Sequence, residues 1–546
     1  MTLGTRLSRR DLFTALVGAP LALSACRREP ARVSGSIRGA SLTAGHRLQR
    51  PADLATATVE RTSEAPVRTG TVIVGAGPSG LCAAWRLERL GIQDFVLLDL
   101  EPRPGGTSAF DEDGVVPYPW GAHYVPLPSV HNRALVALLA EMGVVSQRGD
   151  VLEASEIALV RAPEERVFAD GRWQEGLVPE SRLTAEHRRE LARFEKEVGA
   201  IAAQRDAQGR RPFALPLMRS SSDAAFTELD RLTAAEWLDR HGFRSSVVRW
   251  YVEYACRDDY GTSLERTSAW AMLFYFASRA EEGPGRSAPF LTWPEGNGRL
   301  VRHLAHVAGQ RLSLGHLVTD VVPGPDGVTV AALDLATNKL RRFEARHAIL
   351  ALPKFVAGRV LRPFREQRPS FLGAFETSPW LVANLHLSGR PKGKGFPFAW
   401  DNVLYDSASL GYVVATHQTL SDLGRTIWTY YRPFAELEPA LARRALAELD
   451  HQSAATAVLT DLGRAHPDLE ARLERLDVFR WGHAMAAPLP GSVWGAERLR
   501  AAESVGRVRM AHSDLSGVAL FEEAQYWGVR AAEDVARAEG RSFEPL

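Results

Sequence analysis

Gly75, Gly77 and Gly80 stand in a G-x-G-x-x-G spacing within VIVGAGPSG, with Pro78 and Ser79 inside the motif and Asp99 nineteen residues beyond it. Glycines at these spacings serve three ends. Gly75 allows a tight turn, Gly77 lets a diphosphate approach the backbone, and Gly80 lets the next helix pack close to a sheet. The free N–H groups and positive dipole end of that helix attract phosphate oxygens. A carboxylate at the distance of Asp99 takes ribose hydroxyls. The chemistry implied is the binding of a dinucleotide.

The flanks agree. Thr71 to Val74 read as a buried strand, LCAAWRLERLG as an amphipathic helix stopping at Gly91, and Phe95 to Leu98 as a second strand. Strand, glycine turn, helix, strand and acid then fall in the order of a βαβ unit. The chain has 546 residues, more than one core usually supports, which predicts at least two domains. Apolar content of 45% and charged content of 24% are those of a soluble globular protein. A net charge of +1, with no basic cluster interleaved with aromatics, argues against a nucleic-acid partner. Of three cysteines, Cys82 reads as a buried thiol, while Cys256 is unassigned and a Cys82–Cys256 bridge stays open as an alternative. His303 and His306 lie three apart on a helix, but no third ligand accompanies them, so no metal site is expected.

The N-terminus carries a separate message. Arg9 and Arg10 precede an apolar run from Leu12 to Ala25, long enough for a signal peptide and too short to span a bilayer. Ser8-Arg9-Arg10-Asp11-Leu12 resembles the twin-arginine signal, which exports proteins already folded. Leu23-Ser24-Ala25-Cys26 resembles a bacterial lipobox, whose cysteine is acylated. Residues 27–68 lack apolar periodicity and read as a flexible tether with a reach of roughly 35 Å. These features imply a partnership with the twin-arginine translocase, a lipid anchor in a membrane, and a place in the bacterial cell envelope.

A second glycine pair, Gly105-Gly106, follows Asp99 closely and precedes Thr107. Downstream come WPEGNG at 293–298, LGHLVTDVV around Val318, Ala351-Leu352-Pro353, and GRVRMAHSDLSG ending near Asp514. The closing helix FEEAQYWGVRAAEDV begins at Phe521 and Glu522. In this order the segments resemble the flavin amine oxidase superfamily, which also holds phytoene desaturases and protoporphyrinogen oxidases. The resemblance implies FAD, with Gly75, Gly77, Pro78, Ser79, Gly80, Asp99, Gly105, Gly106, Thr107, Val318, Asp514, Phe521 and Glu522 at the cofactor. It implies an α/β fold: a Rossmann-type FAD domain in discontinuous segments (69–150, 291–368 and 476–546) and an α+β substrate domain (151–290 and 369–475).

Two family features are missing. Asn384 or Ala383 stands where many amine oxidases place a lysine near flavin N5, and Leu520 replaces an aromatic before the last helix. RWGHAMAAPLPG resembles the porphyrinogen-oxidase and desaturase branches, which makes Trp481 and His483 catalytic candidates beside Asn384. Among the aromatic helices, Trp250, Tyr254, Trp270 and Tyr275 are candidates for the pocket wall. The implied reaction moves a hydride from a small-molecule C–H bond to flavin N5. A desaturase or isomerase of isoprenoid-like compounds, and a non-catalytic flavin-bearing lipoprotein, stay open as alternatives.

Overall fold

The computed structural model describes residues 32–49, 65–279, 288–419 and 423–546. The twin-arginine stretch and Cys26 lie outside them. Among the described residues no helix is long and apolar enough to cross a membrane.

Five parallel strands carry the cofactor half. Leu312–Ser313, Phe95–Leu98, Val67–Val74, Lys339–Leu350 and Val508–Met510 pair in that order, and Val328–Asp334 and His316–Pro323 extend the sheet antiparallel. Val72, Ile73, Leu97, Leu98, Ile349 and Leu350 are wholly buried, as strands covered on both faces must be. Each such side chain contributes roughly 1.5–3 kcal/mol on burial. The helix Pro78–Arg89 starts with proline at its first turn, where a missing N–H costs nothing. It packs against the last helix, Phe521–Ala538, through Gly528, where a Cβ would come within 2.1 Å of the Ser79 carbonyl oxygen. A buried Arg86–Glu533 pair at 2.7 Å ties the same two helices.

An eight-stranded mixed sheet forms the second half. Its order is Ile37–Gly39, Leu473–Ala486, Thr377–Leu387, Thr426–Pro433, Gly411–Val414, Asp401–Leu404, Glu165–Ala169 and Arg172–Glu175. The strand Thr377–Leu387 is buried along its whole length. A helical layer covers part of this half, centred on Phe194, Trp237, Phe243 and Trp270. Its helix Ser246–Tyr260 is capped by the Ser245 hydroxyl and ends at Gly261 with φ 63°. A Cβ at Gly261 would lie 2.3 Å from the Trp380 indole nitrogen, so glycine serves both the turn and the close approach.

Two boundaries differ from the sequence reading. Residues 32–49 are not free tether. Ile37–Gly39 pairs parallel to Val478–Arg480, Ser36 donates twice to Asp477, Arg38 pairs with Asp111, and Ser41 donates twice to Glu101. Polar and backbone bonds hold this segment, so it shows no apolar periodicity. Likewise, residues 476–486 belong to the strand Leu473–Ala486 of the eight-stranded sheet, and the third cofactor-domain segment starts after it.

Candidate active site

The glycine turn lies at the carboxyl ends of the parallel strands. Gly75 donates to the Leu98 carbonyl, and Gly105 donates to the Ala76 carbonyl. The second glycine pair is thereby laid on the first: a Cβ at Gly106 would stand 3.3 Å from the Gly77 Cα. A Cβ at Gly80 would stand 1.8 Å from the Gly75 carbonyl oxygen, which makes that glycine obligatory. The Asp99 carboxylate accepts from the Ala76 and Glu101 backbone N–H groups, and burial raises its pKa to about 6. Val318 is buried beside a β-bulge in the strand His316–Pro323. Asp514 is 3% exposed and accepts from the Lys354 backbone N–H at 2.8 Å.

Thr107, Phe521 and Glu522 line a cavity that opens from this cleft between the two halves of the molecule. The helix Phe521–Ala538 places its N-terminus there, and its N-cap residue Leu520 supplies no side-chain cap. Asn297 enters from the WPEGNG turn, whose Gly296 would bring a Cβ within 2.6 Å of the His123 Cα.

The opposite wall comes from the second half. Tyr254, Trp380 and Tyr431 supply aromatic faces, and Tyr431 donates its hydroxyl proton to the Gly121 carbonyl. His123 packs 4.9 Å from the Tyr431 ring, and burial lowers its pKa to about 4, so the imidazole is neutral. Besides Glu522, three carboxyl groups line the same space. Asp259 is paired through both oxygens with Arg279. Asp258 is raised to about 7 by burial and then by Asp259. Asp401 is pushed well above the ordinary range by burial, then by Glu165 and Asp258, and accepts from the Tyr254 hydroxyl at 3.4 Å. Desolvation favours the neutral form of Asp258 and Asp401, and a nearby cation favours the charged one.

The three catalytic candidates from the sequence separate here. Trp481 does line the cavity and donates to the Trp120 carbonyl at 2.6 Å. His483 does not line it. Its ring stacks on Phe355 at 4.1 Å and bonds Thr377: simple alternation would keep it on the face of Trp481, but the register shifts between Ser378 and Trp380, opposite residues 482–484, and breaks that alternation. Asn384 does not line it either. It is wholly buried, donating to the Pro119 carbonyl and accepting from Thr429, so it holds strands together. Trp380 and Val382 present the side chains of that strand to the cavity instead. Of the four aromatic candidates only Tyr254 is on the wall. Trp250 donates to the Tyr405 carbonyl, Trp270 sits in the helical core, and Tyr275 stands behind Asp258. Cys82 and Cys256 are buried and free. His303 bonds Glu141 at 2.9 Å, and among the described residues no group of three His, Cys, Asp or Glu is placed to hold a metal. Sequence reasoning missed Asn297, Tyr431, Asp258 and Asp401, for which no spacing rule gives a signal.

The cleft also holds polar atoms that the fold leaves without partners. Ser79 Oγ, Asn297 Oδ1 and Glu522 Oε1 are all buried and find no hydrogen bond among the described residues. Unsatisfied buried polar atoms are costly, and several clustered along one cleft mark the place of a polar ligand. A cradle of glycines with orphaned acceptors and donors fits a diphosphate at one end and a heterocycle at the other.

The family model for flavin containing amine oxidoreductases matches residues 78–536. The chain belongs to this family. It is an FAD-dependent oxidoreductase. No curated protein matches the chain. Wild-type putrescine oxidase bound to putrescine is 19% identical, with 87% of this chain and 100% of that one covered and a TM-score of 0.64. Cyclohexylamine oxidase from Brevibacterium oxydans IH-35A is 15% identical over 87% and 100%, with a TM-score of 0.63. A CLA-producing fatty acid isomerase from P. acnes is 14% identical over 86% and 98%, with a TM-score of 0.60. At these identities the likeness is one of fold.

Proposed function

We propose that this flavoenzyme oxidises a cationic amine at a C–H bond beside nitrogen. FAD, when bound, would supply the hydride acceptor, so the protein need only bind, orient and exclude water. Gly77, Gly106 and Ser79 would hold the diphosphate, Asp99 the ribose, and Val318 the adenine. Thr107, Phe521 and the N-terminus of the last helix would hold the isoalloxazine, with Asp514 near the ribityl chain.

The observation that carries the reading is the wall of Asp258 and Asp401 among Tyr254, Trp380 and Tyr431. Ring faces attract an ammonium group, and desolvated carboxylates pair with it. A carboxyl such as Asp258, raised to about 7, can also take the proton that an amine must lose before oxidation. A neutral polyene or fatty acyl chain gains nothing from these acids and would have to bury against them.

The leader supports a second part of the proposal. Arg9 and Arg10 would route the folded, FAD-loaded chain through the twin-arginine translocase, and acylated Cys26 would hold it at the bacterial envelope. Anaerobic addition of mono- and diamines, polyenes, fatty acids and porphyrinogens to the purified flavoprotein tests the chemistry. Amines should bleach the flavin. Bleaching by a polyene or fatty acid alone supports the desaturase or isomerase alternative, and no bleaching by any of them supports a binding protein.

A further inference from the structure

Lys354 follows the Ala351-Leu352-Pro353 turn and is wholly buried, yet its Nζ makes no hydrogen bond among the described residues. Its surroundings explain where that ammonium is held. The parallel strands Lys339–Leu350 and Val508–Met510 leave the sheet side by side, carrying Lys354 and Asp514 past its carboxyl edge. Val74 leaves the same edge into the glycine turn, paired with Leu350. Ala351 is pressed on that turn: a Cβ at Gly75 would fall 2.4 Å from its carbonyl oxygen, and one at Gly80 would fall 3.2 Å from its Cβ. Carboxyl edges of parallel strands are where such sheets bind their ligands.

A buried ammonium without a partner costs several kcal/mol. Asp514 offers only part of the compensation, since its Oδ2 already accepts from the Lys354 backbone N–H. Burial lowers the lysine to about 8, which leaves it charged near neutrality. We propose that Lys354 Nζ is a ligand of the FAD diphosphate, oriented by the Asp514 main-chain contact and adding a positive charge to the glycine cradle. The cradle otherwise offers N–H groups and a hydroxyl. The inference rests on FAD lying at the glycine turn, as in the family.

The test uses the full-length flavoprotein with Lys354→Met, which keeps the length of the side chain and removes its charge. The FAD dissociation constant, read from flavin fluorescence on dilution, should rise at least about tenfold, as the loss of a charge-assisted hydrogen bond implies. ADP should become a poorer competitor for the site by a similar factor, while adenosine, which lacks the diphosphate, should compete unchanged. Thermal stability of the flavin-free chain should hold or rise, because an unpaired buried charge has gone. Unchanged FAD affinity, or equal losses for ADP and adenosine, would overturn the assignment. If the methionine variant does not fold, Lys354→Gln is read by the same criteria. Wild-type protein that binds neither FAD nor ADP sinks the cofactor reading itself, a result distinct from either outcome in the variant.

Discussion

The two walls of the active site are built by different rules. On the cofactor side recognition runs through main chain: glycines pressed against one another, helix N-termini and a bulged strand. On the substrate side it runs through side chains, Asp258, Asp401, Tyr254, Trp380 and Tyr431, gathered from one helix and three regions of the eight-stranded sheet. Main-chain recognition constrains residue type sharply because a Cβ in the wrong place collides. Side-chain recognition asks only that some strand or helix deliver the right group, and the same cavity can be lined from many sequence positions.

That contrast breaks first at Gly80. Gly80→Ala places a methyl 1.8 Å from the Gly75 carbonyl oxygen. It should cost about 3 kcal/mol or more and leave the chain without flavin, checked by denaturant midpoint and flavin content. An alanine variant that stays yellow and stable would show the main-chain wall to be tolerant after all.

The substrate wall should respond without losing the fold. Asp258→Asn and Asp401→Asn should each lower kcat/KM for the amine that bleaches the flavin by ~30- to ~1000-fold, the equivalent of about 2–4 kcal/mol. Flavin content should be unchanged. The pH dependence sharpens the point. A quaternary ammonium probe keeps its charge at every pH, so only the protein titrates. Its affinity should rise up to about tenfold per pH unit below pH 7, where Asp258 still binds a proton, and level off above. Asp258→Asn should flatten that rise.

The smallest expected effect concerns the strap at the N-terminus. Removing residues 32–49 deletes a short paired strand and the bonds of Ser36, Arg38 and Ser41. It should cost about 1–2 kcal/mol in thermal unfolding, with flavin retained. No change would restore the free-tether reading.

These differences explain what the sequence discloses. The βαβ unit around Gly75 and Asp99 was legible because its glycines have no substitutes, and the closing helix was legible through Gly528, pinned against Ser79. The alternation of the strand Leu473–Ala486 puts residues 481 and 483 on one face, but an irregularity opposite Ser378 to Trp380, which no residue pattern marks, breaks it between them. Trp481 faces it and His483 does not. Asn384 was misplaced for a related reason: a missing family lysine draws the eye to its position, while the cavity is served two and four residues earlier by Val382 and Trp380. Asp258 and Asp401 come together only through tertiary packing, 143 residues apart in sequence, and each alone looks like a surface carboxylate. The segment 32–49 was hidden because main-chain pairing and hydroxyl bonds leave no apolar rhythm.

The account depends on three distant stretches, around Gly77, Val318 and Asp514, closing on one nucleotide. Denaturing a purified sample and weighing released flavin against protein tests this directly. About one FAD per chain, released without cleavage of a covalent bond, is the expected result. A folded chain that is colourless and takes up no added FAD would contradict it.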